Sequence, residues 1–219
     1  QPAKRKDIRF AALFSLKDTR SHNYIFGAPA IGYNFYDKLM LGVLLHNYTL
    51  PFTRFQFVLS PLYATKSKQF NGIGRMSYSF YPGNRGQRLE LAVAGASFSG
   101  DNFTDSAGVV HPQRFTKIAP SVKYFFANKN PRSTLTKFIQ WRTFLIREQS
   151  LLFTRDTINQ IDIIRFPNKD RYLNQLRFVI ENNRVLYPYR GELQADQGDG
   201  FVRLGFTGNY FFNYPRGGG

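Results

Sequence analysis

The side chains best able to do chemistry in this sequence are few and scattered. Three histidines, His22, His46 and His111, stand far apart in 219 residues, and there is no cysteine. No H-E-x-x-H run occurs, so the paired imidazoles and general base of a zinc hydrolase are missing, and the absence of cysteine excludes thiolate ligands and nucleophiles. No G-x-S-x-G turn carries a serine nucleophile. The glycines of Asn71-Gly72-Ile73-Gly74 lack the strand-to-helix setting of a phosphate loop and fit better as sites of close backbone approach in a strand. The acidic pairs Asp156 with Asp162 and Glu192 with Asp196 fall in loop-like or strand-end settings and read as surface charge rather than general acid and base. No catalytic residue, metal ligand or cofactor site is expected.

What remains is a basic constellation. Lysine and arginine total 30 against 14 acidic residues, a formal charge of +16. Arg9, Arg54, Arg75, Arg88, Lys117, Lys123, Arg142, Arg177, Arg190 and Arg203 all fall on the polar side of an alternating pattern. Such a set either packs as a self-satisfied network with Glu90, Glu181 and Glu192, or offers anions a positive surface. Arg54, Arg75, Arg142, Arg177 and Arg203 fall near the middles of their segments and are expected to cluster at one depth. The acidic residues look too few and too loop-biased to neutralise them.

These residues are positioned by strands. Windows of 11 to 18 residues lack sustained helical spacing, whereas alternation with period two recurs along most of the chain. Ile8, Phe10, Ala12, Phe14 and Leu16 oppose Asp7, Arg9 and Lys17; Met76, Tyr78 and Phe80 oppose Arg75, Ser77 and Ser79; Leu89, Leu91 and Val93 oppose Arg88, Glu90, Ala92 and Ala94. Roughly 10 to 12 strands are expected. Turn chemistry separates them at Tyr36-Asp37-Lys38, Pro82 to Gly86, Asn128 to Arg132, Asn182 to Arg184 and Gln197 to Gly200, which implies antiparallel neighbours. The stretches 100–113 and 155–171 read as long loops or strand extensions. No repeat or linker divides the chain, so 1–219 reads as a single domain, all-β.

Period two does not say whether the apolar face points into a core or into lipid. A soluble sandwich or lipocalin-like barrel buries it; a transmembrane barrel turns it outward. Three features favour the second. The segments run about 10 to 14 residues where globular strands average ~5 to 6. The polar face is rich in Gly, Ala and Ser, as a crowded interior would be. Aromatics gather at segment ends, as in Tyr33-Asn34-Phe35-Tyr36, Tyr124-Phe125-Phe126 and Tyr210-Phe211-Phe212. The longest uncharged apolar run, 39–45, is far short of the ~20 residues of a spanning helix. Pro29, Pro61, Pro120 and Pro188, which cannot donate to a ladder, are expected at interfaces or bulges.

The run from Gly27-Ala28-Pro29-Ala30-Ile31-Gly32-Tyr33-Asn34-Phe35-Tyr36-Asp37-Lys38 through Leu59-Ser60-Pro61-Leu62-Tyr63-Ala64-Thr65 and Phe70-Asn71-Gly72-Ile73-Gly74, with Tyr187-Pro188-Tyr189-Arg190-Gly191-Glu192-Leu193 later, resembles the C-terminal outer-membrane β-barrel region of Bacteroidota proteins that carry a gluzincin-type zinc aminopeptidase domain. The resemblance implies barrel membership and an outer-membrane location. The family's zinc motif and general base belong to the peptidase domain and have no counterpart here. Pro215-Arg216-Gly217-Gly218-Gly219 reads as a turn with no strand after it, consistent with a piece of a larger barrel.

The function expected from the sequence is an outer-membrane anchor or scaffold for a partner domain or subunit. Its contacts would be the lipid bilayer and lipopolysaccharide, whose phosphates Lys4-Arg5-Lys6 and Lys66-Ser67-Lys68 could meet. The alternatives are an anion-preferring pore with an arginine-lined lumen and a soluble basic β-barrel binding protein. Nucleic acid is not an expected partner, because the aromatics lie on the face opposite the arginines.

Overall fold

The computed structural model describes residues 6–12, 21–83, 87–105, 108–130, 132–156 and 161–212. Among them there are thirteen strands and no helix: β1 (Asp7–Ala12), β2 (His22–Asn34), β3 (Lys38–His46), β4 (Phe55–Ala64), β5 (Phe70–Phe80), β6 (Arg88–Thr104), β7 (Val110–Phe125), β8 (Leu135–Gln149), β9 (Leu152–Asp156), β10 (Ile161–Arg165), β11 (Asn168–Asn182), β12 (Tyr189–Gly198) and β13 (Phe201–Tyr210). Eleven form one sheet in the order β1-β2-β3-β4-β5-β6-β7-β8-β11-β12-β13, and β9 with β10 forms a separate two-stranded ribbon. No pairing of β1 with β13 closes the sheet among the described residues.

The all-β reading stands, as does the mostly antiparallel pairing. One pair departs from it: β1 runs parallel to β2, from Asp7 opposite His22 to Ala12 opposite Gly27. A parallel neighbour needs a longer connection than a tight hairpin turn, and the 13–21 stretch carries no hairpin turn signal. The second half of the strand expected over 7–17 lies outside the described residues, as do residues 213–219. Stretch 100–113 proves to be mostly strand extension, since β6 continues to Thr104 and β7 starts at Val110. The 155–171 stretch holds β10 and the start of β11.

Contacts along the chain divide it into two compact units. The first comprises Gln1–Met76, Ala94–Ile118 and Leu145–Arg171. Its small apolar cluster is Met40, Leu62 and Ala64, with Ala30 and Phe98 packed against it. Proline shapes this region: a Cβ on Gly42 would meet the Pro61 carbonyl oxygen at 1.9 Å. The β3–β4 register holds from Met40 opposite Ala64 to Gly42 opposite Leu62 and resumes at Leu45 opposite Leu59. The break falls where Pro61 has no N–H to give the ladder, and glycine lets the backbones close in. Pro29 lies within β2 opposite Val43, in a stretch whose register with β3 runs unbroken, so no bulge marks it. β1 covers β2 only as far as Gly27, so among the described residues Pro29 has a strand neighbour on one side, where a missing donor is tolerated.

The second unit comprises Ser77–Val93, Ala119–Phe144 and Tyr172–Gly219. Its best-defined piece is the β12–β13 hairpin, paired from Tyr189 opposite Tyr210 to Gly198 opposite Phe201. The turn is Asp199-Gly200, and Gly200 adopts φ +75°, a conformation that glycine reaches without a Cβ clash.

In both units the usual arrangement of apolar and polar side chains is inverted. Ile31, Tyr33, Leu41 and Phe70 of the first unit are exposed, Ile31 by 76 %, while Ser60, Asn71 and Ser99 are buried. In the second, Leu91, Val93, Trp141 and Leu193 are exposed, while Ser77, Gln140 and Asp196 are buried. Alternation puts the two sets on opposite faces of the same strands. In β6 the less exposed positions are even-numbered from Ala92 to Ala94, and Ser99 is the buried one beyond.

Candidate functional site

The charged residues of the second unit sit on the polar faces of β6, β7, β8, β11, β12 and β13, which are successive neighbours in the sheet. On β6, Nη2 of Arg88 lies 3.7 Å from Glu90, and its guanidinium carbon stands 4.0 Å from the centre of the Phe125 ring. On β7, Nζ of Lys123 stands 3.8 Å from the Phe138 ring centre and 4.5 Å from that of Phe125. Arg142 on β8 lies 5.6 Å from the Phe144 ring. On β11, Arg177 donates from Nε to Oε1 of Glu192 at 2.7 Å, and its Nη2 is 2.7 Å from the same oxygen. Arg190 donates to Glu192 at 3.0 Å and to Glu181 at 3.3 Å. Arg203 on β13 donates to Oδ2 of the buried Asp196 at 3.0 and 2.6 Å, and Gln194 and Gln175 complete that carboxylate's shell. Charge-assisted pairs of this kind are among the stronger hydrogen bonds a sheet can make.

The five arginines expected to share one depth are divided between the two units. Arg142, Arg177 and Arg203 belong to the second unit, and Arg75 belongs to the first. Arg54 is exposed and precedes Phe55, the first residue of β4. The acidic residues are also less confined to loops than their number suggested. Glu90, Glu181, Glu192 and Asp196 all lie on strands and face arginines. The pair Glu192 and Asp196, expected as surface charge, is therefore interior: Asp196 is 1 % exposed.

Two polar centres in the first unit carry no long-range signal in the sequence. Asp37, in the turn between β2 and β3, is fully buried. It accepts hydrogen bonds from Ser67 Oγ at 2.5 Å, Ser99 Oγ at 2.6 Å, the Ser99 N–H at 3.0 Å and Asn34 Nδ2 at 3.1 Å. Burial pushes this carboxyl up, but the Ser67 and Ser99 donors outweigh it and hold it below its ordinary value. Arg114 on β7 donates to Gln69 at 2.6 Å, Ser97 at 2.6 Å, Asn71 at 3.2 Å and the Phe70 carbonyl at 3.0 Å. The local cue for Asp37 was Asn34, whose Oδ1 accepts from the Tyr36 N–H at 2.7 Å and marks an Asx turn. Ser99 stands 62 residues away and gives no such cue.

The histidines remain apart. His111 pairs with Asp105 at 2.9 Å and stacks on Phe166, whereas His46 lies tilted against Phe26 and stacks on Tyr48. Among the described residues no group of three His, Asp or Glu side chains could hold a metal ion. The arrangement offers pairing, burial and positive potential. No family model matches the chain, and no curated protein or solved structure matches it either.

Proposed function

We propose that this chain is an outer-membrane β-barrel segment that anchors or scaffolds a partner domain or subunit. One observation carries the reading: apolar side chains such as Ile31, Leu41, Trp141 and Leu193 are exposed, while polar side chains such as Ser60, Asn71, Gln140 and Asp196 are buried beside a few apolar ones such as Phe26 and Val179. In water such a surface costs about 25 cal/mol for each Å² of apolar area left exposed, whereas in lipid it is the favoured arrangement. Strand length agrees. At about 3.3 Å per residue, the 17 residues of β6 exceed the ~30 Å hydrocarbon thickness, enough to cross it tilted and project beyond. Among the described residues no helix is long and apolar enough to cross a membrane, a criterion that leaves strands untouched.

The sequence resemblance to the barrel region of Bacteroidota zinc aminopeptidase proteins supports barrel membership and an outer-membrane setting for the anchor. Lys66 and Lys68, in the turn after β4, suit contact with lipopolysaccharide phosphates. The arginine–carboxylate pairs of the second unit favour a packed interior over an open pore.

The test is transfer of the purified chain from denaturant into lipid vesicles or detergent. Compact, protease-resistant, strand-rich protein is expected only with lipid or detergent, and a stable monomer in plain buffer would overturn the reading. At residue level, Leu91→Arg on the exposed face is expected to cost ~2 to 4 kcal/mol of vesicle-folded stability. Thr207→Lys on the polar face of β13 is expected to cost much less.

A further inference from the structure

The carboxylates that neutralise the charged row in the second unit stand at its two ends. Glu90 sits beside Arg88 on β6, and Glu192 on β12 is shared by Arg177 and Arg190. Between them lies Lys123 on β7. Its ammonium carries three donors, yet it makes no hydrogen bond to an acceptor among the described residues; its nearest company is the faces of Phe125 and Phe138. Ring faces attract a cation but do not accept three N–H bonds. Arg88, Arg142 and Arg177 are all close enough to repel this charge, and Glu90 alone offsets them. Nε of Arg88, next to the same Phe125 ring, is also buried without a hydrogen-bond partner.

We propose that Lys123 binds a tetrahedral oxyanion of the phosphate class on this polar face, with Arg88, Arg142 and Arg177 supplying the surrounding positive field. The oxyanion fits because it brings acceptors for several donors at once and cancels the repulsion that Glu90 leaves uncompensated. The half-buried setting strengthens each contact relative to open water. Glu90 competes with the ligand for the same cations, which gives the site a distinctive signature. The inference rests on the folded sheet and not on its insertion in a bilayer.

The experiment is calorimetric titration of the full chain, folded in detergent at low ionic strength, with inorganic phosphate, against chloride at equal ionic strength as the reference. Saturable uptake of one phosphate per chain is expected. Lys123→Gln should weaken it at least tenfold, Arg142→Gln several-fold, and Glu90→Gln should tighten it. A folded wild-type chain that takes up no phosphate beyond the chloride reference overturns the proposal, as does binding by folded Lys123→Gln equal to wild type. If Lys123→Gln fails to fold, Glu90→Gln decides, since weaker or unchanged binding there also overturns it. Because the titration needs only detergent-folded protein, its failure is separable from failure to enter vesicles.

Discussion

The two units solve the same problem, charge buried on a sheet, by different means. In the first, Asp37 is surrounded by hydroxyls, an amide and a backbone N–H, and Arg114 by amide, hydroxyl and carbonyl oxygens. Each charge is met by several neutral dipoles at fixed positions. In the second, charge meets charge: Arg177 with Glu192, Arg190 with Glu181 and Glu192, Arg203 with Asp196. Neutral donors tie down one ion without creating a wider field. Ion pairs on adjacent strands leave a residual field wherever the signs fail to balance, and around Lys123 they do not balance. The first design is suited to holding a turn, the second to presenting potential.

The sharpest way to break this contrast is Asp37→Ala. Four donors would lose one buried acceptor, and the expected cost is about 3 to 5 kcal/mol in denaturant unfolding of vesicle-folded protein. A loss under about 1 kcal/mol would mean that water replaces the carboxylate and that the turn is not a fixed centre.

Glu192→Gln probes the other design. It removes the charge shared by Arg177 and Arg190 and is expected to cost roughly 1 to 2 kcal/mol, less than a fully buried pair because both arginines reach solvent. Its cost should shrink as salt is raised, whereas that of Asp37→Ala should not. Equal salt sensitivity would erase the distinction between the units.

Acid titration sharpens it further. The Asp37 carboxyl is held below its ordinary value of 3.8, so the folded state binds this proton more weakly than the unfolded chain does. Its stabilisation is complete above that ordinary value and is lost as pH falls through the lower folded value. Unfolding free energy measured from pH 6 down to 2 should therefore drop at the acid end, by less in Asp37→Asn. The smallest effect is expected from Arg147→Ala. That arginine donates to Asp170 at 2.7 and 2.8 Å, but both side chains are 61 % exposed. Melting curves of the variant and the wild type should superimpose, because solvent screens such a pair.

The strands were legible because side-chain period is fixed by the pleat, and Leu89, Leu91 and Val93 alternate whatever else the fold does. The turns were legible because Asp37, Gly83, Asn128, Asn183 and Gly200 have local conformational preferences. Pairing across strands was not. Which acid Arg177 meets depends on the register that sets it opposite Gln194 and beside Glu192, and register depends on the whole ladder. Arg54 was misplaced for a related reason: it shares the parity of the polar positions Gln56 and Ser60, while the strand starts only at Phe55. Asp37 looked like an ordinary turn residue because its decisive partners, Ser67 and Ser99, are remote in sequence.

The strand order carries a consequence for how the chain folds. From β2 to β8 each strand neighbours the next in sequence, so each pairing closes only a short loop and growth can proceed hairpin by hairpin. The exception is β8 beside β11, where the β9–β10 ribbon stands outside the ladder. That junction is the slow stitch in an otherwise local zipper. Shortening the ribbon leaves every neighbour relation in the main sheet intact, so it should speed assembly more than trimming any hairpin turn.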